Sequence, residues 1–170
     1  MGKPKLYLFI GYPGAGKTTV AKLIAKRTGA VHLWSDAERH KMFPKPTHSE
    51  EESVALYNYL NHRTQELLTG GEDVVFDTNF NFYEDRQNLR ELAAREEAET
   101  VVIWVNTPLD TAKERAVGIG EMRNGYHLRM SEDHFDKLAA KLEPPHKNEK
   151  IIKIGGAKLD AEAAVRLLNL

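Results

Sequence analysis

Residues 11–19 read GYPGAGKTT, with the apolar run LYLFI (residues 6–10) before them and VAKLIAKRTG (residues 20–29) after them. Gly11, Gly16, Lys17 and Thr18 fall on the spacing G-x-x-x-x-G-K-S/T, and a β-run leading in with a helical pattern leading out is the context this spacing requires. Glycines allow the chain to turn so that successive N–H groups point inward, and the following helix adds its free N–H groups and positive dipole end. A phosphate is the natural occupant. Lys17 supplies a mobile positive charge, and the Thr18 hydroxyl is an oxygen donor of the kind Mg²⁺ takes while it bridges nucleotide phosphates. Gly11, Pro13, Gly14, Ala15, Gly16, Lys17, Thr18 and Thr19 are therefore expected to line a nucleoside triphosphate site, in preference to a turn that binds nothing.

Outward from this loop, short apolar runs alternate with helical patterns. The runs are LYLFI, AVHLW, DVVFD, TVVIWV and IIKI. Helices are expected at residues 17–27, 36–43, 49–68, 83–96, from 108, from 131, and at 160–168. This order specifies an α/β protein with a parallel sheet and helices on both faces, and nearly unbroken apolar strands suit a sheet buried on both sides. The chain reads as a single domain over residues 1–170, with a lid at about 117–130 where VGIGEMRNGYHLR gathers glycines and arginines. An ordinary surface connection is the other reading of that stretch.

With 170 residues and 41% hydrophobic content the chain can bury a full core. Lys and Arg total 24 against 25 Asp and Glu. Bulk charge thus gives no support to a polyanion partner, although nucleic acid stays possible. The absence of cysteine removes disulfides and thiolate metal sites and suits a cytoplasmic location. The apolar run near the start is too short for a signal peptide, and no membrane association is expected.

After the second apolar run, WSDAERHKMF places Asp36 and Arg39 three apart on one helix face near the carboxyl edge of the sheet. A carboxylate there can take a proton from an attacking hydroxyl, and a guanidinium one turn on can grip an anionic acceptor group. A second reading stands beside it: Ser35 and Glu38 form an S-x-x-E capping box, Asp36 favours the helix dipole, and Arg39 is its salt-bridge partner. Asp77 closes the buried run DVVFD and is a candidate magnesium organiser together with Thr18. Thr78 follows it, where a water-activating glutamate would serve a motor ATPase, so transfer to a hydroxyl fits better than hydrolysis. Among the later cations, Arg123 in the lid stands ahead of Arg115 at a helix end and Arg129, since closure can carry an arginine to the transferring phosphoryl.

Taken in order, GYPGAGKTT, SDAER, VVFDTNFN and ERAVGIGEMRNG resemble the motifs of the P-loop kinases that include the kinase domain of phage-type polynucleotide 5′-hydroxyl kinase, zeta-toxin-like kinases and chloramphenicol phosphotransferase. The resemblance covers most of the chain. It implies a P-loop NTPase, kinase-like fold with a five-stranded parallel core, ATP and Mg²⁺ as cofactors, and phosphoryl transfer to a hydroxyl acceptor. Carried over, Asp36 is the general base, Arg39 an acceptor or phosphate contact, Asp77 a site organiser and Arg123 the lid cation. The acceptor stays open among small molecules, nucleosides or nucleotides, and nucleic-acid ends. Closeness of SDAER and DTNFN to the polynucleotide kinase pattern speaks for a polynucleotide 5′-hydroxyl kinase, whereas neutral bulk charge and the acidic run Glu50–Glu52 speak against it. A nucleotide-binding switch without chemistry is the remaining alternative. Asn79, Asn81, Tyr83 and Arg86, after the third run, are readable either as acceptor contacts or as turn and helix-start chemistry.

Overall fold

The computed structural model describes residues 2–118, 122–123, 126–127 and 130–170. In chain order the elements are β1 (Lys5–Ile10), α1 (Lys17–Thr28), β2 (Val31–Trp34), α2 (Ser35–Met42), α3 (Glu50–Thr69), β3 (Val74–Asp77) and α4 (Tyr83–Arg95). They continue with β4 (Glu99–Asn106), α5 (Leu109–Val117), β5 (Met122–Arg123), β6 (Tyr126–His127), α6 (Glu132–Ala140), β7 (Ile151–Gly155) and α7 (Ala161–Leu168). Five of the strands form one sheet in the order β2-β3-β1-β4-β7, with every pairing parallel. The five apolar runs of the sequence are these five strands.

β1 is central because nothing in it from Leu6 to Ile10 tolerates water, and its alternating side chains supply two separate cores. Leu6, Leu8 and Ile10 pack with Leu56 and Leu60 of α3 and Leu89 and Leu92 of α4. Tyr7 and Phe9 pack on the other face with Val20, Ala21 and Ile24 of α1 and Ala164 and Leu168 of α7. Each Leu, Ile, Val or Phe among them contributes roughly 1.5–3 kcal/mol when fully buried. The result is a rigid platform whose strand carboxyl ends all open on one edge.

Local chemistry sets the helix ends. Gly29 terminates α1 in the left-handed region at φ 79°, with its N–H on Ala25 O. Ser49 caps α3 by accepting from Glu52 N, Ser131 caps α6 by accepting from His134 N, and Asp160 caps α7. At α2 the capping box of the second reading does not form. The helix begins at Ser35 itself, Trp34 occupies the cap position without a side-chain bond, and Ser35 Oγ donates instead to Thr78 Oγ1 at 3.1 Å. Pairing of β2 with β3 sets Trp34 opposite Asp77, so the next residues, Ser35 and Thr78, meet across the strand ends, and Thr78 Oγ1 is shared between the hydroxyls of Ser35 and Tyr57.

Of the expected lid, β5 and β6 pair antiparallel, Met122 opposite His127 and Arg123 opposite Tyr126. The Arg123 side chain, Arg129, Gly120 and Gly125 lie outside the described residues. The stretch emerges from α5 and returns at Met130, whose N–H donates to Ala116 O at 3.3 Å. Lys113 bridges α5 to Glu132 and Asp136 of α6, both at 2.9 Å. Among the described residues no helix is long and apolar enough to cross a membrane.

Candidate active site

The loop between β1 and α1 has the shape the glycine spacing foretells. Gly14 and Gly16 take φ values of 78° and 111°, where side chains are strained, and at Gly14 the backbone of α5 also excludes a Cβ. At Gly14 a Cβ would stand 2.4 Å from Ala112 O; at Gly16 it would stand 2.7 Å from Leu159 Cδ1. Thr107, at the end of β4, donates its hydroxyl to Ala15 O at 2.7 Å and fixes the loop from outside. The cap position of α1 is Gly16, which has no side chain to occupy the first-turn N–H groups, and a helix start of this kind suits an anion.

Lys17 is buried and its Nζ donates to Gly11 O at 2.8 Å and to Tyr12 O at 2.6 Å. Burial pulls its pKa down to about 8, against the opposing attraction of Asp77 and then Asp36. A phosphate fits this cradle. It would offer the desolvated ammonium a full countercharge in place of two carbonyls. Thr18, half-buried on the first turn, and Asp77 supply hard oxygen donors, the set that Mg²⁺ takes alongside phosphate oxygens.

The level ends of β2 and β3 bring two carboxylates to the same edge. Asp77 is 3% exposed, and its Oδ2 accepts from His32 Nε2 at 2.9 Å. Asp36 stands one residue into α2, and its pKa is raised chiefly by burial and then by the negative charge of Asp77, with Arg39, His48 and His40 acting in the opposite sense. Lys17, Asp36 and Asp77 thus share one electrostatic neighbourhood.

Arg39 is turned to α3. Its Nη1 pairs with Glu52 Oε1 at 2.6 Å and its Nη2 donates to Ser53 Oγ at 3.2 Å. Glu52 also accepts from Thr47 N, Thr47 Oγ1 and His48 N, so this ion pair fastens the Pro-containing loop after α2 to the start of α3. The Thr47 backbone N–H, with Arg39 and the other donors, holds the Glu52 carboxyl at about 2 despite burial. Arg115 lies against the phosphate loop itself: its guanidinium donates to Gly14 O at 3.4 Å, Gly156 O at 2.9 Å and Ala157 O at 2.8 Å. Gly156 is where the chain after β7 touches the loop, since a Cβ there would meet Thr107 Oγ1 at 1.8 Å and Ala15 O at 2.5 Å.

A glycine-rich anion cradle on a β2-β3-β1-β4-β7 parallel sheet is matched by a family profile described as AAA domain (AAA_33), which covers residues 6–145. The chain belongs to this AAA domain family. Solved structures carry the same fold over nearly the whole length. A candidate kinase from Chloroflexus aurantiacus superposes with a TM-score of 0.77 at 19% identity, covering 99% of this chain and 96% of that one. The Mycobacterium tuberculosis APS kinase, solved with AMPPNP and APS, gives 0.69 at 20% identity over 100% of both chains. A gluconokinase from Sinorhizobium meliloti gives 0.65 at 19% identity over 96% and 87%. No curated protein matches. What these similarities share is the P-loop kinase-like fold; the narrower resemblance to polynucleotide kinases and zeta-toxin-like kinases goes beyond it.

In this AAA domain the site is supported by Thr107 and His32, which carry no assigned role in the sequence, and by Asn81, read there as an acceptor contact or turn residue. Asn81 brackets Gly11, Thr107 holds Ala15, and His32 holds Asp77. Asn81 stands in the DTNFN stretch, but its partner is 70 positions away, which local pattern cannot reveal. Arg86 proves structural: wholly buried, it makes a two-pronged pair with Glu149 and donates to Phe80 O. Tyr83 stacks on His146 at 3.6 Å between centroids, part of the same brace on the loop before β7.

Proposed function

We propose that this protein is an ATP-dependent phosphotransferase that moves the γ-phosphate to a hydroxyl acceptor. The observation that carries the reading is Asp36, a carboxylate made more basic by burial and by Asp77, sharing its neighbourhood with the phosphate-loop lysine. In the proposed reaction the acceptor oxygen attacks the γ-phosphorus, its proton passes to the Asp36 carboxylate, the bond to the β–γ bridging oxygen breaks, and ADP leaves. Gly11–Thr19 hold the phosphates, and Lys17 leaves the Gly11 and Tyr12 carbonyls to follow the developing charge. Mg²⁺, held with the nucleotide at Thr18 and Asp77, would neutralise charge on the phosphates. Arg115 keeps the loop against the turn after β7, at the nucleotide side, and Arg123 is the lid cation. Arg39 is assigned the acceptor side, where its pair with Glu52 fixes the wall formed by α2 and α3.

A polynucleotide 5′-hydroxyl end is the second acceptor reading, favoured by SDAER and DTNFN and disfavoured by Glu50–Glu52 at the start of α3. The test is transfer from γ-labelled ATP to matched panels of sugars, nucleosides, nucleotides and 5′-hydroxyl oligonucleotides, with release to water measured in parallel. Acceptor-dependent labelling supports the kinase reading. Phosphate release that no acceptor stimulates sinks it in favour of an ATPase, and tight ATP binding with neither activity favours a switch.

A further inference from the structure

A row of side chains on β2 and β3 ends on the Asp77 carboxylate. His32 Nε2 donates to Asp77 Oδ2 at 2.9 Å, linking two strands whose register sets Trp34, not His32, directly opposite Asp77. The imidazole therefore reaches diagonally along the sheet. Its plane is set by Trp34, whose ring lies parallel to it at 6° with centroids 6.1 Å apart, and Lys22 Nζ stands 5.4 Å from the Trp34 ring centre on α1. Such backing holds the ring in place before any ligand arrives.

We infer that His32 is the positioning residue for Asp77, fixing one carboxylate oxygen so that the other serves the nucleotide-bound divalent cation. The inference rests on the assignment of Asp77 to that cation. A carboxylate buried to 3% exposure has few ways to be oriented, and the N–H donated by His32 engages one of its oxygens and leaves the other for a cation. Residues that hydrogen-bond a ligating carboxylate fix its direction, and their loss typically costs about ten- to a hundredfold in metal affinity. His32 does not touch nucleotide or acceptor in this account. It acts through Asp77 alone.

The experiment titrates Mn²⁺ into the complex of protein with ADP and follows the bound ion by electron paramagnetic resonance, for wild type, Asp77→Asn, His32→Leu and His32→Gln. ADP affinity in EDTA is measured for each, since a merely structural role for His32 would disturb this metal-free binding as well. The expected result is Mn²⁺ affinity about ten- to a hundredfold weaker in His32→Leu, with metal-free ADP binding retained and part of the loss recovered in His32→Gln, whose amide keeps an N–H donor. Should His32→Leu not fold, His32→Asn, whose amide falls short of Asp77, makes the same comparison. Weak Mn²⁺ binding in Asp77→Asn with wild-type binding in the His32 variants overturns the inference and leaves Asp77 assigned to the cation. Wild-type binding in Asp77→Asn overturns both.

Discussion

Asn81 closes a ring of two hydrogen bonds on Gly11: its side-chain oxygen accepts from Gly11 N at 3.0 Å and its Nδ2 donates to Gly11 O at 2.9 Å. The same Gly11 carbonyl accepts from Lys17 Nζ, so one amide 70 positions along the chain sets the first residue of the phosphate loop and the resting place of its cation. Asn81→Ala leaves a buried N–H unpaired at a cost of about 1–3 kcal/mol. Denaturant unfolding should show that loss, and nucleotide titration should show weaker ADP binding with no change in the stoichiometry.

Arg86 and Glu149 are both wholly buried, joined through Nε at 2.7 Å and Nη2 at 3.0 Å. Arg86→Met strips the partner from a buried carboxylate and should destabilise the protein by about 3–5 kcal/mol. Pairing it with Glu149→Leu removes the orphaned charge. The double variant is expected to regain a large part of the loss in equilibrium unfolding, as a buried ion pair replaced whole is often nearly neutral.

Glu52 gives the fold an acid-sensitive joint. Its carboxyl falls from an ordinary 4.5 to about 2 in the folded chain, mainly through the Thr47 N–H and with Arg39 contributing. A depressed carboxyl pKa means that the unfolded chain binds the extra proton between these values, so the stabilisation is fully present above about pH 4.5 and is lost as pH falls toward 2. Glu52→Gln should melt below wild type at neutral pH. The gap should narrow steadily through that acid window in thermal scans.

The sheet and the phosphate loop were legible because each rests on local pattern: an apolar run, a glycine spacing, a helix start. Helix bounds came within a residue or two wherever a side chain truly caps, as at Ser49, Ser131 and Asp160. Ser35 carried the same signature and misled, since Thr78, 43 positions away, competes for its hydroxyl. At the next S-x-x-E, Ser49 Oγ accepts from Glu52 N while the Glu52 carboxylate turns to Thr47, His48 and Arg39, and the Arg39–Glu52 pair, 13 positions apart, is one that local spacing did not show. Arg86 was equally opaque: a lone arginine at a helix start gives no sign of a carboxylate 63 positions later.

Asp36→Asn tests the central claim most directly. If Asp36 is the base, the variant keeps ATP affinity, because Gly11–Thr19 hold the phosphates, while transfer to the hydroxyl acceptor falls roughly a hundred- to ten-thousandfold. A charge in the first turn of α2 is otherwise worth only about 0.3–1 kcal/mol of stability. The decisive measurement is therefore the single-turnover transfer rate of Asp36→Asn set beside its ATP dissociation constant: unchanged binding with lost transfer is the predicted result, and full transfer with a slightly lowered melting temperature would contradict it.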